Sequence, residues 1–228
     1  YTAAFTVPDL ILNIFVTGAL TAAFVPIFTE LKSNNKSDQA SEFTNSVITS
    51  SLFVVTLFSI LVFIFAKPIS HLVVPAFDEI ARNQFVGLMR ILLISPLIFA
   101  ISNTLGNILV SNSRFVWYGL SASFFNLGTI LGALFLAPHF GIYGVAMGTV
   151  GGAVLHLIPR LFSLGGIVRA LRPVIKTTDE FKQFVRLMIP KMIAHPVEQL
   201  TSFGFVIIAS TLGAGSIVVL NFSRTFQS

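Results

Sequence analysis

The sequence predicts an all-α fold, a polytopic transmembrane helix bundle, and three observations predict it. First, Phe115 to Pro159 is a run of forty-five residues without one Lys, Arg, Asp or Glu, about twice the roughly 20 apolar residues that a membrane-spanning helix needs. Second, hydrophobic residues make up 54% of the chain and charged residues 10%, whereas a soluble domain carries about a quarter charged residues. Third, the apolar stretches are continuous and do not alternate over ten residues. That selects helices over a closed barrel, the other architecture that satisfies backbone groups in lipid.

Charge-free windows give the spans in order: Leu10–Thr29, Phe43–Ala66, Ile91–Ser113, Phe115–Ala137, Gly141–Pro159, Met192–Leu212, and a last one from Ala214. The long uncharged run folds at the breaker cluster Ala137-Pro138-His139-Phe140-Gly141. Asp9, directly after Pro8, reads as an N-terminal cap of the first span. Alternate connections differ sharply in charge. One set holds ten cations (Lys32, Lys36, Arg114, Arg160, Arg169, Arg172, Lys176, Lys182, Arg186 and Lys191), and the other holds Lys67, Arg82 and Arg90. The positive-inside rule places the first set in the cytoplasm, so the first span runs inward. A chain that opens on Tyr1 and closes on Ser228 within an apolar segment reads as an internal piece of a longer protein, with one span expected ahead of it.

The 160–191 connection is the longest and most charged. Within it Thr177-x-x-Glu180 has the spacing of a capping box, and Phe181, Phe184, Val185, Met188 and Ile189 follow at helical intervals opposite Lys182 and Arg186. This predicts either an amphipathic helix at the inner interface or a solvated loop helix. A boundary near Arg172-Pro173 divides the chain into 1–172, the helices of one lobe, and 173–228, a connector with the first helices of a second lobe.

Polar and small residues within the spans are the functional candidates. Gly144, Gly148 and Gly152 form one four-residue ridge, and Gly128 and Gly132 another. Such ridges let helix backbones approach closely. His156 extends the first ridge, and no neighbour has metal-ligand spacing. Asn103 and Asn107 lie one turn apart in the third span, and Asn126 sits within the fourth. Lipid cannot satisfy amides, so these either bond between helices or line a wet cavity. Glu198, beside Gln199 and three residues after His195, is an acid in the sixth apolar stretch, and Arg224 is a cation in the last. Arg224 either binds an anionic group, for which its planar fork suits phosphate, or pairs within the protein.

Composition and motifs also exclude. There is no cysteine, hence no disulfide or thiolate chemistry. The net charge of +5 is spread between apolar spans, where it sets topology and not nucleic-acid binding. No phosphate-cradling loop, zinc-protease helix or nucleophile elbow is present, so neither an enzyme, a cofactor nor a metal is expected.

The first span reads Phe5-x-x-Pro8-x-Leu10, then Phe15, Gly18-Ala19 and Ala23-Phe24-Val25-Pro26-Ile27, closed by Glu30. This resembles the second helix of the MurJ (MviN) lipid II flippase family of the multidrug/oligosaccharidyl-lipid/polysaccharide superfamily. Leu109-x-Ser111-x-x-Arg114-Phe115, Asn126, Gly151-Gly152 with Leu155, Pro159, Leu161, Pro190, Gln199, Ala209-Ser210 and Gly215-Ser216 continue the likeness in order. The resemblance implies a bacterial inner-membrane protein of fourteen helices in two lobes. It implies a cationic cavity for lipid II or a similar undecaprenyl-diphosphate-linked glycan, alternating access, and partners among membrane lipids and cell-wall synthesis proteins. Arg224, Asn126, Glu198, Gln199, Asn103 and Asn107 are its cavity candidates here. Departures are also visible. Family arginines and a glutamate of the second helix are replaced by Leu12, Asn13 and Thr17, the family's cavity arginine aligns with Thr225, and an acidic sodium ligand of some members is Phe205. The alternatives are a drug or cation exporter, another polysaccharide-lipid exporter, or a non-transporting homologue.

Overall fold

The computed structural model describes residues 1–165, 171–194, 196–212 and 215–225, and of residues 17–19, 193–194, 196–200, 202, 221 and 224–225 the backbone alone. Among the described residues five helices are long and apolar enough to cross a membrane. They are α1 (Thr2–Ser33), α2 (Ser37–Ile64), the 33-residue run Glu79–Ser111, α6 (Phe115–Phe140) and α7 (Ile142–Ser163). The Glu79–Ser111 run is broken at Leu93 into α4 (Glu79–Leu92) and α5 (Ile94–Ser111), and α3 (Ala66–Val73) precedes it. An extended segment over 171–178 then leads to α8 (Asp179–Ala194), α9 (Pro196–Thr211) and α10 (Ser216–Thr225). The expected all-α transmembrane bundle is therefore the observed one. The turns carrying Lys36 and Arg114 lie at one end of it, hereafter the basic end.

Several helical runs extend beyond the charge-free windows. The α4 helix begins on Asp78, whose carboxylate accepts the Ala81 amide at 2.8 Å. It buries Phe85, Val86, Leu88, Met89 and Leu92, while Arg90 leaves the core to stack on the Phe63 ring at 4.7 Å. Its charges had made this segment read as a connection. Asp9 is not a cap: it lies inside a helical run that starts seven residues earlier, at Thr2. That run is irregular, with a π-helical turn over Asn13–Thr17 between the regular stretches Thr6–Leu12 and Gly18–Ser33.

The two glycine ridges meet each other. A Cβ on Gly128 or Gly132 would collide with the backbone of Gly152 or Gly148, and one on Gly144 with the backbone at Leu136. Helices α6 and α7 therefore touch backbone to backbone, which no larger residue permits. The outer face of α6 shows Phe115, Leu127, Ile130, Leu134 and Phe135, and α2 shows Phe53, Phe58, Phe63 and Ile64, all exposed. Such apolar faces suit contact with hydrocarbon or with another helix.

The core at the basic end joins Leu20, Phe24 and Ile27 of α1, Phe43 and Val47 of α2, Leu105 and Ile108 of α5, and Phe184 of α8. The Phe184 ring meets Phe43 edge-on at 5.9 Å. The apolar stripe of α8 is thus spent on α1 and α2, while Lys182 and Arg186 stay exposed. The cap of α8 is Thr178, not Thr177: its hydroxyl accepts the Phe181 amide at 3.3 Å. Ahead of it the extended segment is pinned to α2. Asn45 accepts the Arg172 amide at 3.1 Å, Ser46 accepts the Lys176 amide at 2.9 Å, and Lys176 pairs with Glu42.

Candidate functional site

Two polar constellations lie within the spans. The first is a seam buried where α5, α6 and α7 converge, and its centre is Arg160. Counted from sequence as a loop cation, this residue sits in the last turns of α7 and is 3% exposed. Pro159, Arg160 and Leu161 continue a helix that the charge-free window had ended at Pro159. The Arg160 Nε donates to Ser121 Oγ at 3.1 Å, and one terminal nitrogen donates to the Ser102 carbonyl and to Asn103 Oδ1 at 3.2 Å. The Tyr118 ring covers the guanidinium with its centroid 5.0 Å away. Gly106 makes the space, since a Cβ there would lie 2.6 Å from an Arg160 terminal nitrogen. No carboxylate pairs with Arg160 among the described residues; neutral oxygens and an aromatic face hold the charge instead.

The seam continues along α5. Ser102 shares a 2.8 Å hydrogen bond with His156 Nδ1, whose ring stands edge-on to Phe99 at 5.0 Å. Asn107 accepts from Thr21 of α1 at 3.0 Å, and its buried amide nitrogen meets no acceptor. At the basic end Asn112 accepts from Lys32 at 2.7 Å. Asn103 and Asn107 therefore bond between helices, and His156 is a packed interface residue with no metal cluster near it among the described residues. The signal for Arg160 was present in sequence: Ser102, Asn103 and Gly106 lie within one turn of one another on α5.

The second constellation is a stripe on α1. Thr2, Thr6, Asp9 and Asn13 recur every three to four residues, which places them along one side of the helix. Thr2 and Asp9 are exposed, and Thr6 and Asn13 are half-buried. Asp9 lies seven residues into the span, about 10 Å along its axis at helical rise, and has no ion-pair partner among the described residues. Sequence reasoning passed over this carboxylate because Pro8 made a helix start the simpler account. Asn126 is exposed on α6, away from the seam. The backbones of Glu198 and Gln199 lie in α9 and that of Arg224 in α10, while their side chains and His195 fall outside the described residues.

The bundle thus holds a buried cation in one seam and an accessible acid on a stripe of α1. The family profile described as "Lipid II flippase MurJ" matches residues 1–228. This chain belongs to the MurJ family. Among curated MurJ proteins, the "Probable lipid II flippase MurJ" of Thermotoga maritima is 29% identical over 233 residues, covering 100% of this chain and 46% of that protein. That of Buchnera aphidicola subsp. Schizaphis graminum is 27% identical over 219 residues, with 94% and 43% covered. The "Lipid II flippase MurJ" of Burkholderia cenocepacia is 24% identical over 234 residues, with 96% and 44% covered. The chain thus spans less than half the length of these relatives. A solved structure titled "Lipid II flippase MurJ, inward closed conformation" superposes with a TM-score of 0.78 at 24% identity, over 99% of this chain and 48% of that one. The MurJ fold is therefore present across the described helices.

Proposed function

We propose that this chain is part of a flippase that moves a lipid-linked oligosaccharide, lipid II above all, from the inner to the outer leaflet of a bacterial inner membrane. Membership of the MurJ family supports the class of cargo. The single structural observation that supports transport is the α1 stripe. A carboxylate on the accessible side of a membrane-spanning helix is not solvated by hydrocarbon, so that side serves a water-filled passage. A hydrated diphosphate-sugar head group requires such a passage, and alternation of two lobes around it supplies access from either side in turn. On this reading Thr6, Asp9 and Asn13 line the passage, joined by Asn126, Glu198, Gln199 and Arg224 as cavity candidates. Asn103 and Asn107 hold the wall behind it. Residues 1–172 form most of one lobe, and 173–228 form the connector and the start of the other. Cell-wall synthesis proteins that use the flipped product are the natural partners.

Complementation tests the proposal. The intact gene is expressed in a bacterium depleted of its own lipid II flippase, and growth and outer-leaflet lipid II are both scored. Rescue with lipid II reappearing outside is the expected result. Normal membrane abundance without rescue overturns the lipid II assignment. Asp9 supports a cation exporter as a second reading, and Asp9→Asn separates the two. A cation exporter loses transport when the carboxylate is neutralised, whereas a glycan passage keeps its polar lining.

A further inference from the structure

The basic end of the α6–α7 pair carries two arginines that no carboxylate neutralises. Arg114, just ahead of α6, donates to the carbonyl of Ser163 at the end of α7 and to its hydroxyl at 3.2 Å. One turn further into the bundle, Arg160 of α7 reaches back to α6, donating to Ser121 and lying under the Tyr118 ring. Both guanidiniums thus bridge the same two helices. Among the described residues the ion pairs are Lys176–Glu42 and Lys182–Asp179, and no described residue accepts from the second terminal nitrogen of either arginine. The surrounding surface is aromatic and apolar: Trp117 is 41% exposed, Tyr118 44% and Phe162 79%. Exposed Trp and Tyr beside cations at a helix end is the pattern of the head-group layer, where their rings lie at the boundary between acyl chain and water.

We propose that this corner is a binding site for an anionic phospholipid of the leaflet at the basic end, with the lipid phosphate on exposed Arg114. Trp117 and Tyr118 flank the glycerol region, and buried Arg160 adds positive potential from beneath. Charge complementarity selects an anionic over a zwitterionic head group, because Arg114 is exposed with no carboxylate partner among the described residues and the buried Arg160 behind it is not neutralised either. An arginine near such a surface contributes about 1 kcal/mol, which is about a fivefold preference. The proposal is independent of the cargo.

Native mass spectrometry of the full-length protein, released from nanodiscs of equal phosphatidylglycerol and phosphatidylcholine, tests it. The wild type retains phosphatidylglycerol preferentially. Arg114→Gln lowers that preference about fivefold, Arg114→Lys keeps most of it, and Arg186→Gln, on the exposed side of α8, leaves it unchanged. Unaltered retention in Arg114→Gln overturns the site. So does an equal loss in Arg186→Gln, which would mean diffuse attraction. Retention of added undecaprenyl diphosphate with no preference for phosphatidylglycerol also overturns it, since the corner would then hold a polyprenyl cargo.

Discussion

Arg160 shows how a single side chain organises three membrane helices. Its charge is 3% exposed, and its acceptors are a carbonyl, an amide oxygen and a hydroxyl drawn from α5 and α6. Neutral acceptors of this kind serve a guanidinium because its five donors sit in a fixed fork that several weak partners fill together. The arrangement works only while residue 106 lacks a side chain. Gly106→Ala is therefore expected to lower the melting temperature of the purified full-length protein by the equivalent of about 1–3 kcal/mol, the range for overpacking. In an Arg160→Met background the same alanine costs little, because the atoms it strikes are gone. A coupling near zero in that double-mutant cycle would show that the two residues do not share the space.

At the scale of elements, α6 and α7 form the closest pair and α8 the least obvious one. The first contact is steric. Gly128 and Gly132 meet Gly152 and Gly148 with no room for a methyl group. Gly128→Ala and Gly132→Ala are expected to push the helices apart and destabilise by about 1–3 kcal/mol. Gly151→Ala on the partner helix α7, which meets nothing within 4 Å, is the control. The contact of α8 is a buried ring. Phe184 is 1% exposed among Phe24 and Phe43 of α1 and α2, so Phe184→Ala is expected to cost about 3–5 kcal/mol. Limited proteolysis reads the release of α8 as faster cleavage around residues 171–178. Unchanged cleavage would mean that Asn45, Ser46 and Glu42 hold the segment without help from the ring.

For the molecule as a whole, the decisive question is which surface meets water and which meets lipid. The sequence contains no cysteine, so single cysteines introduced into this region of the full-length protein report cleanly once any elsewhere are removed. Thr6→Cys, Asp9→Cys and Asn13→Cys are expected to react with a membrane-impermeant maleimide. Phe53→Cys and Leu134→Cys, on the exposed apolar faces of α2 and α6, stay unlabelled. An unreactive Asp9→Cys would remove the aqueous passage from this side of α1. Topology follows the same logic: with Arg160 removed from the ten cations of the first set, nine still oppose three, so the positive-inside rule still predicts a cytoplasmic basic end.

Features that follow from local chain chemistry could be read directly from the order of residues. The spans were legible because hydrocarbon demands about 20 consecutive apolar residues per crossing. The glycine ridges were legible because their four-residue repeat marks a close-packing face, and membership of the MurJ family was legible in an ordered set of motifs. Tertiary structure alone decided which faces meet. It joined the two glycine ridges to each other, drew Arg160 out of the loop count into a buried seam, and turned the stripe of α8 onto α1 and α2. It also left Asp9 on an accessible side of a helix whose start lies well before Pro8. The reason is physical: a residue's type gives the cost of burying it, but only the neighbours brought by other helices decide whether that cost is met.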